Sequence, residues 1–189
     1  LNMTGLLDGR VALITGASRG IGEAIAGRFA AEGAHIIAVA RTVGGLEELD
    51  NRIQSAGGSA TLVPLDLNDY EGIDRLGAAT AERWGKLDIL FGNAAILGSL
   101  GPMGHTRPKE WEEVLALNVT ANFRLIRSFD SLLRASNTGR VIFTSSSVGV
   151  QAVAYWGAYA TSKAALEHMA KTYAAELNKT NVKVNVINP

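Results

Sequence analysis

The sequence predicts an α/β fold, a doubly wound parallel sheet with strand order 3-2-1-4-5-6 and helices on both faces, giving three layers α/β/α. Three observations predict it. Short apolar runs alternate with helical patterns from end to end, the pattern of repeated βαβ units. The second run, His35-Ile-Ile-Ala-Val-Ala40, has no polar alternation, as expected of a strand covered on both faces. A glycine cluster separates the first run from the first helix. The strand order follows because each parallel crossover must be right-handed.

The elements follow in order. Val11-Ala-Leu-Ile-Thr15 is the first strand, and residues 20–32 the first helix, with Ile21, Ile25 and Phe29 on one face and Gly33 ending it. The second strand is 35–40. Leu46, Leu49 and Ile53 mark the second helix, stopped by Gly57-Gly58. Strands three to six are expected near 60–66, 87–91, 140–145 and 182–187, with helices at about 69–84, 108–134 and 157–178. Gly98–Gly104 reads as a loose loop after strand four. No repeat, low-complexity segment or linker divides the chain, so 1–189 reads as a single domain.

Composition narrows the function classes. The chain has 189 residues, 18 Lys+Arg against 18 Asp+Glu, no cysteine, and is 47% hydrophobic and 19% charged. That is globular and long enough for a substantial core. The neutral balance argues against a nucleic-acid partner, which needs clustered Lys and Arg. Without cysteine there are no disulfides, thiolate zinc sites or cysteine nucleophile. This fits a reducing compartment, and the expected location is cytoplasmic. No run of about 18 apolar residues suggests a membrane span, and no carboxylate cluster suggests a metal. Leu1–Gly5 shows no basic region leading into an apolar stretch, so no signal peptide is expected.

The cluster Gly16-Ala17-Ser18-Arg19-Gly20-Ile21-Gly22 has the spacing G-x-x-x-G-x-G. Unpaired N–H groups and the helix dipole meet at a helix N-terminus, and glycine lets a phosphate approach the backbone. Between a buried strand and the first helix, this cradle predicts a nucleotide in a Rossmann-type sheet. An acid at the end of strand two would accept from a ribose 2′-hydroxyl. Ala40-Arg41 stands there instead. Arg41, with Arg19 in the cradle, suits a 2′-phosphate, so NADP(H) is expected over NAD(H). Asp66, after strand three, is placed to accept from the adenine amino group or to cap the next helix, a role Asp69 serves equally well.

Tyr159-Ala-Thr-Ser-Lys163 puts a phenol and an ammonium four residues apart on one helical face. A free tyrosine titrates near pH 10. A neighbouring ammonium would stabilise its phenolate and lower that value. Thirteen residues upstream, Ser146 ends strand five, at the sheet edge that faces the ligand crevice. In the run Ser145-Ser146-Ser147 that spacing favours Ser146. Asn118, inside the helix 108–134, is a poor choice for a helix interior. It anchors a water toward Lys163, or it satisfies a helix backbone defect. His35, His105 and His168 are scattered without ligand spacing. Trp156, three residues before Tyr159, either lines the substrate crevice or packs.

Together these motifs resemble the short-chain dehydrogenase/reductase (SDR) family. The matching residues are the cradle from Thr15 to Gly22, Asp66, Asn93-Ala94-Ala95, Asn118, Ser146, Tyr159 with Lys163, and the final Asn188-Pro189. The resemblance covers about residue 8 to the end. It implies an Asn118–Ser146–Tyr159–Lys163 tetrad, with Tyr159 as acid in reduction or base in oxidation. It also implies hydride exchange between NADP(H) and a carbonyl or alcohol, and usually a homodimer or homotetramer, here through helices 108–134 and 157–178. The cofactor would meet Gly16, Ser18, Arg19, Gly20, Ile21, Gly22, Arg41, Asp66, Leu67, Asn93, Ala94, Ala95, Tyr159, Lys163 and Pro189. Gly92 stands where the family usually has an asparagine, which removes one side-chain contact from that turn. Family chains run about 60 residues further, so a substrate lid and seventh strand are expected to be missing here. The alternative function is a dinucleotide-binding sensor or scaffold of the same fold without turnover.

Overall fold

A computed structural model describes residues 5–189. The expectation of no leader rests largely on residues 1–4, which lie outside the described residues. Six strands form one sheet: β1 Val11–Thr15, β2 His35–Ala40, β3 Ser59–Pro64, β4 Ile89–Gly92, β5 Arg140–Thr144 and β6 Lys183–Ile187. All pairs are parallel, in the order β3-β2-β1-β4-β5-β6. The helices are α1 Gly20–Ala31, α2 Val43–Ser55, α3 Tyr70–Trp84, α4 Pro108–Leu115, α5 Ala121–Ala135 and α6 Gly157–Glu176.

Alternate residues of the central strands feed two cores. Leu13, Ile37, Val39 and Leu90 point to one face and pack with Ile73, Phe129, Leu166 and Tyr173 from α3, α5 and α6. Ala12, Ile14, Ile36 and Phe91 point to the other and pack with Ala26, Ala30, Leu46 and Ile53 from α1 and α2. A period of two thus fills both layers, and that is why β1 and β2 read as unbroken apolar runs. The edge strands β3 and β6 are less buried. Among the described residues no helix is long and apolar enough to cross a membrane.

Two element boundaries differ instructively from the sequence reading. The third strand ends at Pro64, not 66; a last backbone bond, from Leu65 N to Ala40 O at 3.0 Å, ties the chain to β2 as it leaves the sheet. Leu65, Asp66 and Leu67 follow it into the cleft lining. The helix expected at 108–134 is divided: α4 and α5 are joined by a π-helical turn, Ala116–Thr120, centred on Asn118. Such turns are rare and gather at functional sites.

Candidate active site

The cleft opens at the carboxyl ends of β1 to β4. Gly16 leaves β1 with φ 65° and Gly20 enters α1 with φ 59°. A Cβ at Gly22 would collide with the Gly16 carbonyl oxygen, and one at Gly16 would lie 3.0 Å from Asn93 Nδ2. The turn closes only without side chains at these positions. No side chain caps the start of α1, so its first N–H groups are left for a ligand. By contrast, Asp69 caps α3, accepting from the Gly72 N–H at 2.9 Å. That answers the question over Asp66, which is not the cap: it accepts from Asn68 N at 2.9 Å and lines the cleft.

A cleft of about 470 Å³ is lined by Gly16, Ser18, Arg19, Arg41, Asp66, Leu67, Asn93, Ala94 and Ala95 among the expected residues. That volume suits a nucleotide-sized ligand, and the cradle's missing side chains suit its phosphates. Gly20, Ile21 and Gly22 sit beside it in the first turn of α1, and Pro189 is exposed after β6. The sequence reading missed Val39, Ala40, Thr42, Leu65, Ile96 and Leu117, which also line the cleft. Most adjoin residues it had named.

The cradle is fastened to the rest of the site by buried hydroxyls. Thr15 Oγ1 accepts from the N–H groups of Asn93 at 2.9 Å and Ala94 at 3.1 Å. Asn93 Nδ2 donates to Thr15 O at 3.2 Å, and its Oδ1 accepts from Thr144 Oγ1 at 3.1 Å. Thr144 O in turn accepts from Lys163 Nζ at 2.6 Å. From sequence Thr15 stood only as the first residue of the cradle and Thr144 was not singled out, because a threonine ending a strand carries no distinctive signal.

Tyr159 and Lys163 occupy the first turns of α6, and Lys163 Nζ lies 5.5 Å from the Tyr159 ring centroid. Burial lowers the Lys163 ammonium to about 8. Burial also pushes the Tyr159 phenol above its ordinary value, while the Ser146 hydroxyl pulls it down. Lys163 was expected to lower the phenol. Here it gives its hydrogen bond to Thr144, and desolvation governs the phenol instead. The serine run separates by role. Ser145 Oγ donates to Glu167 Oε1 at 2.7 Å in the interior, Ser147 begins a 3-10 turn, and Ser146 is the one beside Tyr159.

Asn118 is fully buried and works as a clasp. Its Oδ1 accepts from Ile96 N, and its Nδ2 donates to Ile96 O and to Ser162 Oγ, each at 2.9 Å. The side chain joins the segment after β4 to α6 and has no direct contact with Lys163. The helix backbone at the π-turn is satisfied by another side chain, not by that of Asn118: the Asn118 carbonyl accepts from Asn122 Nδ2 at 2.9 Å. Asn122 also explains Gly92. A Cβ at Gly92 would come within 2.5 Å of Asn122 Oδ1 and of the Phe143 ring. The space that a side chain at 92 would take is filled by an amide from α5.

Comparisons with known proteins agree with this architecture. The family model for short chain dehydrogenase matches residues 10–189. An uncharacterised oxidoreductase of Escherichia coli K12, YciK, is 38% identical over 187 residues, 97% of this chain and 74% of that protein. An uncharacterised NAD-dependent oxidoreductase of Mycobacterium tuberculosis is 35% identical over 199 residues, 98% of this chain and 72% of its own length. The crystal structure of a metagenomic short-chain oxidoreductase in complex with NADP superposes with TM-score 0.92 at 35% identity, covering 97% of this chain and 83% of that one. Fold, cleft and family match converge: the chain belongs to the short-chain dehydrogenase/reductase family of oxidoreductases.

Proposed function

We propose that this chain transfers a hydride between NADP(H) and a carbonyl or alcohol substrate, with Tyr159 as the general acid or base. The observation that carries the reading is the grouping of Ser146, Tyr159 and Lys163 on the carboxyl edge of the sheet that bears the phosphate cradle. When bound, the nicotinamide supplies or accepts the hydride. The protein's own part is the proton. In reduction the Tyr159 hydroxyl gives its proton to the substrate oxygen as the hydride reaches the carbon. The Ser146 hydroxyl donates a hydrogen bond to the same oxygen. The Lys163 ammonium, charged at neutral pH, stabilises the phenolate that remains.

The preference for NADP(H) is supported by Arg19 and Arg41, both exposed and both on the cleft lining, with no acid at the end of β2. A cytoplasmic location is part of the same reading, supported by the lack of cysteine. So is assembly into a homodimer or homotetramer through α4–α5 and α6, with Phe123 exposed on α5; light scattering tests it.

Fluorescence titration with NADPH and NADH tests the cofactor. Native protein should favour NADPH, and Arg41→Asp should erase that preference; an unchanged ratio refutes the assignment. Tyr159→Phe should abolish turnover while sparing NADPH binding, and retained turnover would remove Tyr159 as the acid.

A further inference from the structure

Two loops flank Tyr159, and neither carries a charged residue other than a histidine. Residues 96–106 and 147–158 contain no Lys, Arg, Asp or Glu, in a chain that is 19% charged. Both nonetheless present large apolar side chains to the outside. Leu97, Leu100 and Met103 are exposed on the first, and Val150, Val153 and Tyr155 on the second. Six exposed apolar side chains on two neighbouring loops are more than the scattered singles expected on a protein surface.

The loops are tied to each other and to the proposed proton donor. Gly101 N donates to Tyr155 O at 2.9 Å, and Gly101 pairs with Trp156 in an isolated parallel bridge. Met103 packs on Gly157, two residues before Tyr159: a Cβ there would sit 2.9 Å from Met103 Cε. The Trp156 ring centroid lies 6.0 Å from that of Tyr159. The turn at 147–149 rests on α6 at Lys163, since a Cβ on Gly149 would lie 3.0 Å from the Lys163 backbone. Tyr155 has φ 74° and is the one non-glycine among the described residues with positive φ. A bulky side chain is unfavourable there, and such strain persists where the surroundings enforce it, often at functional sites.

We propose that the substrate is an uncharged lipophilic carbonyl compound, its hydrocarbon body lying between these two loops and its oxygen reaching Tyr159. This rests on the reading of Tyr159 as the proton donor. A phosphorylated ketone would bring a charge for which these loops hold no lysine or arginine, and an unpaired charge is costly to desolvate. An alkyl chain asks only for apolar surface. The rim formed by the two loops offers such surface, and Arg19 and Arg41 lie apart from it, on the lining of the cleft after β1 and β2.

The test separates this inference from the reaction itself. A series of 2-alkanones from five to eleven carbons is titrated calorimetrically into protein saturated with NADP+. Ketone and oxidised cofactor cannot exchange a hydride, so binding is read without turnover. Affinity should rise roughly two- to fourfold per added methylene, with negative heat-capacity change. Leu100→Asp and Val153→Asp should flatten that dependence and leave NADP+ affinity unchanged. Dihydroxyacetone phosphate should not compete. Chain-length-independent binding, a preference for the charged ketone, or an unaltered series in both variants would overturn the proposal. So would occlusion of the rim between copies, seen as alkanone binding that vanishes as the protein self-associates. If the series behaves as expected but NADPH is not oxidised by the same ketones, the rim stands and the proton-donor reading fails.

Discussion

Lys163 is buried at 2% relative exposure and its ammonium is lowered from 10.5 to about 8 by that burial. This makes a linkage prediction. Below about pH 8 both folded and unfolded chains hold the proton, and the folded state bears the cost of a buried charge. Between about 8 and 10.5 the unfolded chain binds the proton more tightly, so the contribution of this group to stability rises with pH. Above 10.5 both are neutral and the gain is complete. At about 1.4 kcal/mol for each pH unit between the two values, the full window is worth about 3 kcal/mol. Other groups titrate over the same range, so the perturbation is Lys163→Met, which keeps an unbranched stem without the charge. Urea unfolding followed by far-UV circular dichroism at about pH 7.5 and 9.5 gives the difference between the two proteins. The native chain should gain on the variant by about 2 kcal/mol between those pH values. At the lower pH, relief of the buried charge in the variant is offset in part by the orphaned Thr144 carbonyl, worth about 1–3 kcal/mol. Parallel pH dependences, with a constant difference, would refute the reasoning.

Three further outcomes follow from the same geometry. In steady-state reduction, the rate should decline above about pH 8 as Lys163 loses its proton, while the burial-raised Tyr159 phenol is still protonated; a flat profile to about pH 10 would detach Lys163 from the chemistry. Gly92→Asn, which restores the residue usual in the family, should destabilise by about 1–3 kcal/mol through overpacking against Asn122 and Phe143. Asn122→Ala should recover part of that loss, and an unchanged melting temperature in Gly92→Asn would contradict the close approach. Asp88 is 3% exposed and accepts from Val11 N at 2.9 Å and Ser136 Oγ at 2.5 Å, with Lys86 Nζ at 2.8 Å. Burial pushes its carboxyl up, yet these partners hold it below the ordinary value, so its contribution is present above that value and lost as pH falls through the folded one. Asp88→Asn should cost about 2–4 kcal/mol at neutral pH and shrink the loss of stability on acidification; equal stability at neutral pH would refute the clamp.

Periodicity and glycine carried the sheet. β1 and β2 are unbroken apolar runs because both faces are covered, and the glycines at 16, 20 and 22 mark a turn that only a bare backbone closes. Local signals of that kind survive in one dimension. The same holds for Arg41 in place of an acid and for the four-residue step from Tyr159 to Lys163. The state and partners of each group were settled by packing. Burial, a sum over distant neighbours, set the Tyr159 phenol high when its helical neighbour alone suggested low. Asn118 spends its amide on Ile96 and Ser162, which are 22 and 44 residues away, so no local pattern could assign it. Gly92 read as a lost contact until α5 brought Asn122 and β5 brought Phe143 against it. The order of residues along the chain set which backbone turns and side-chain types were on hand. Which polar groups met was left to the assembled fold, because desolvation and hydrogen-bond partnership depend on residues far apart in the chain.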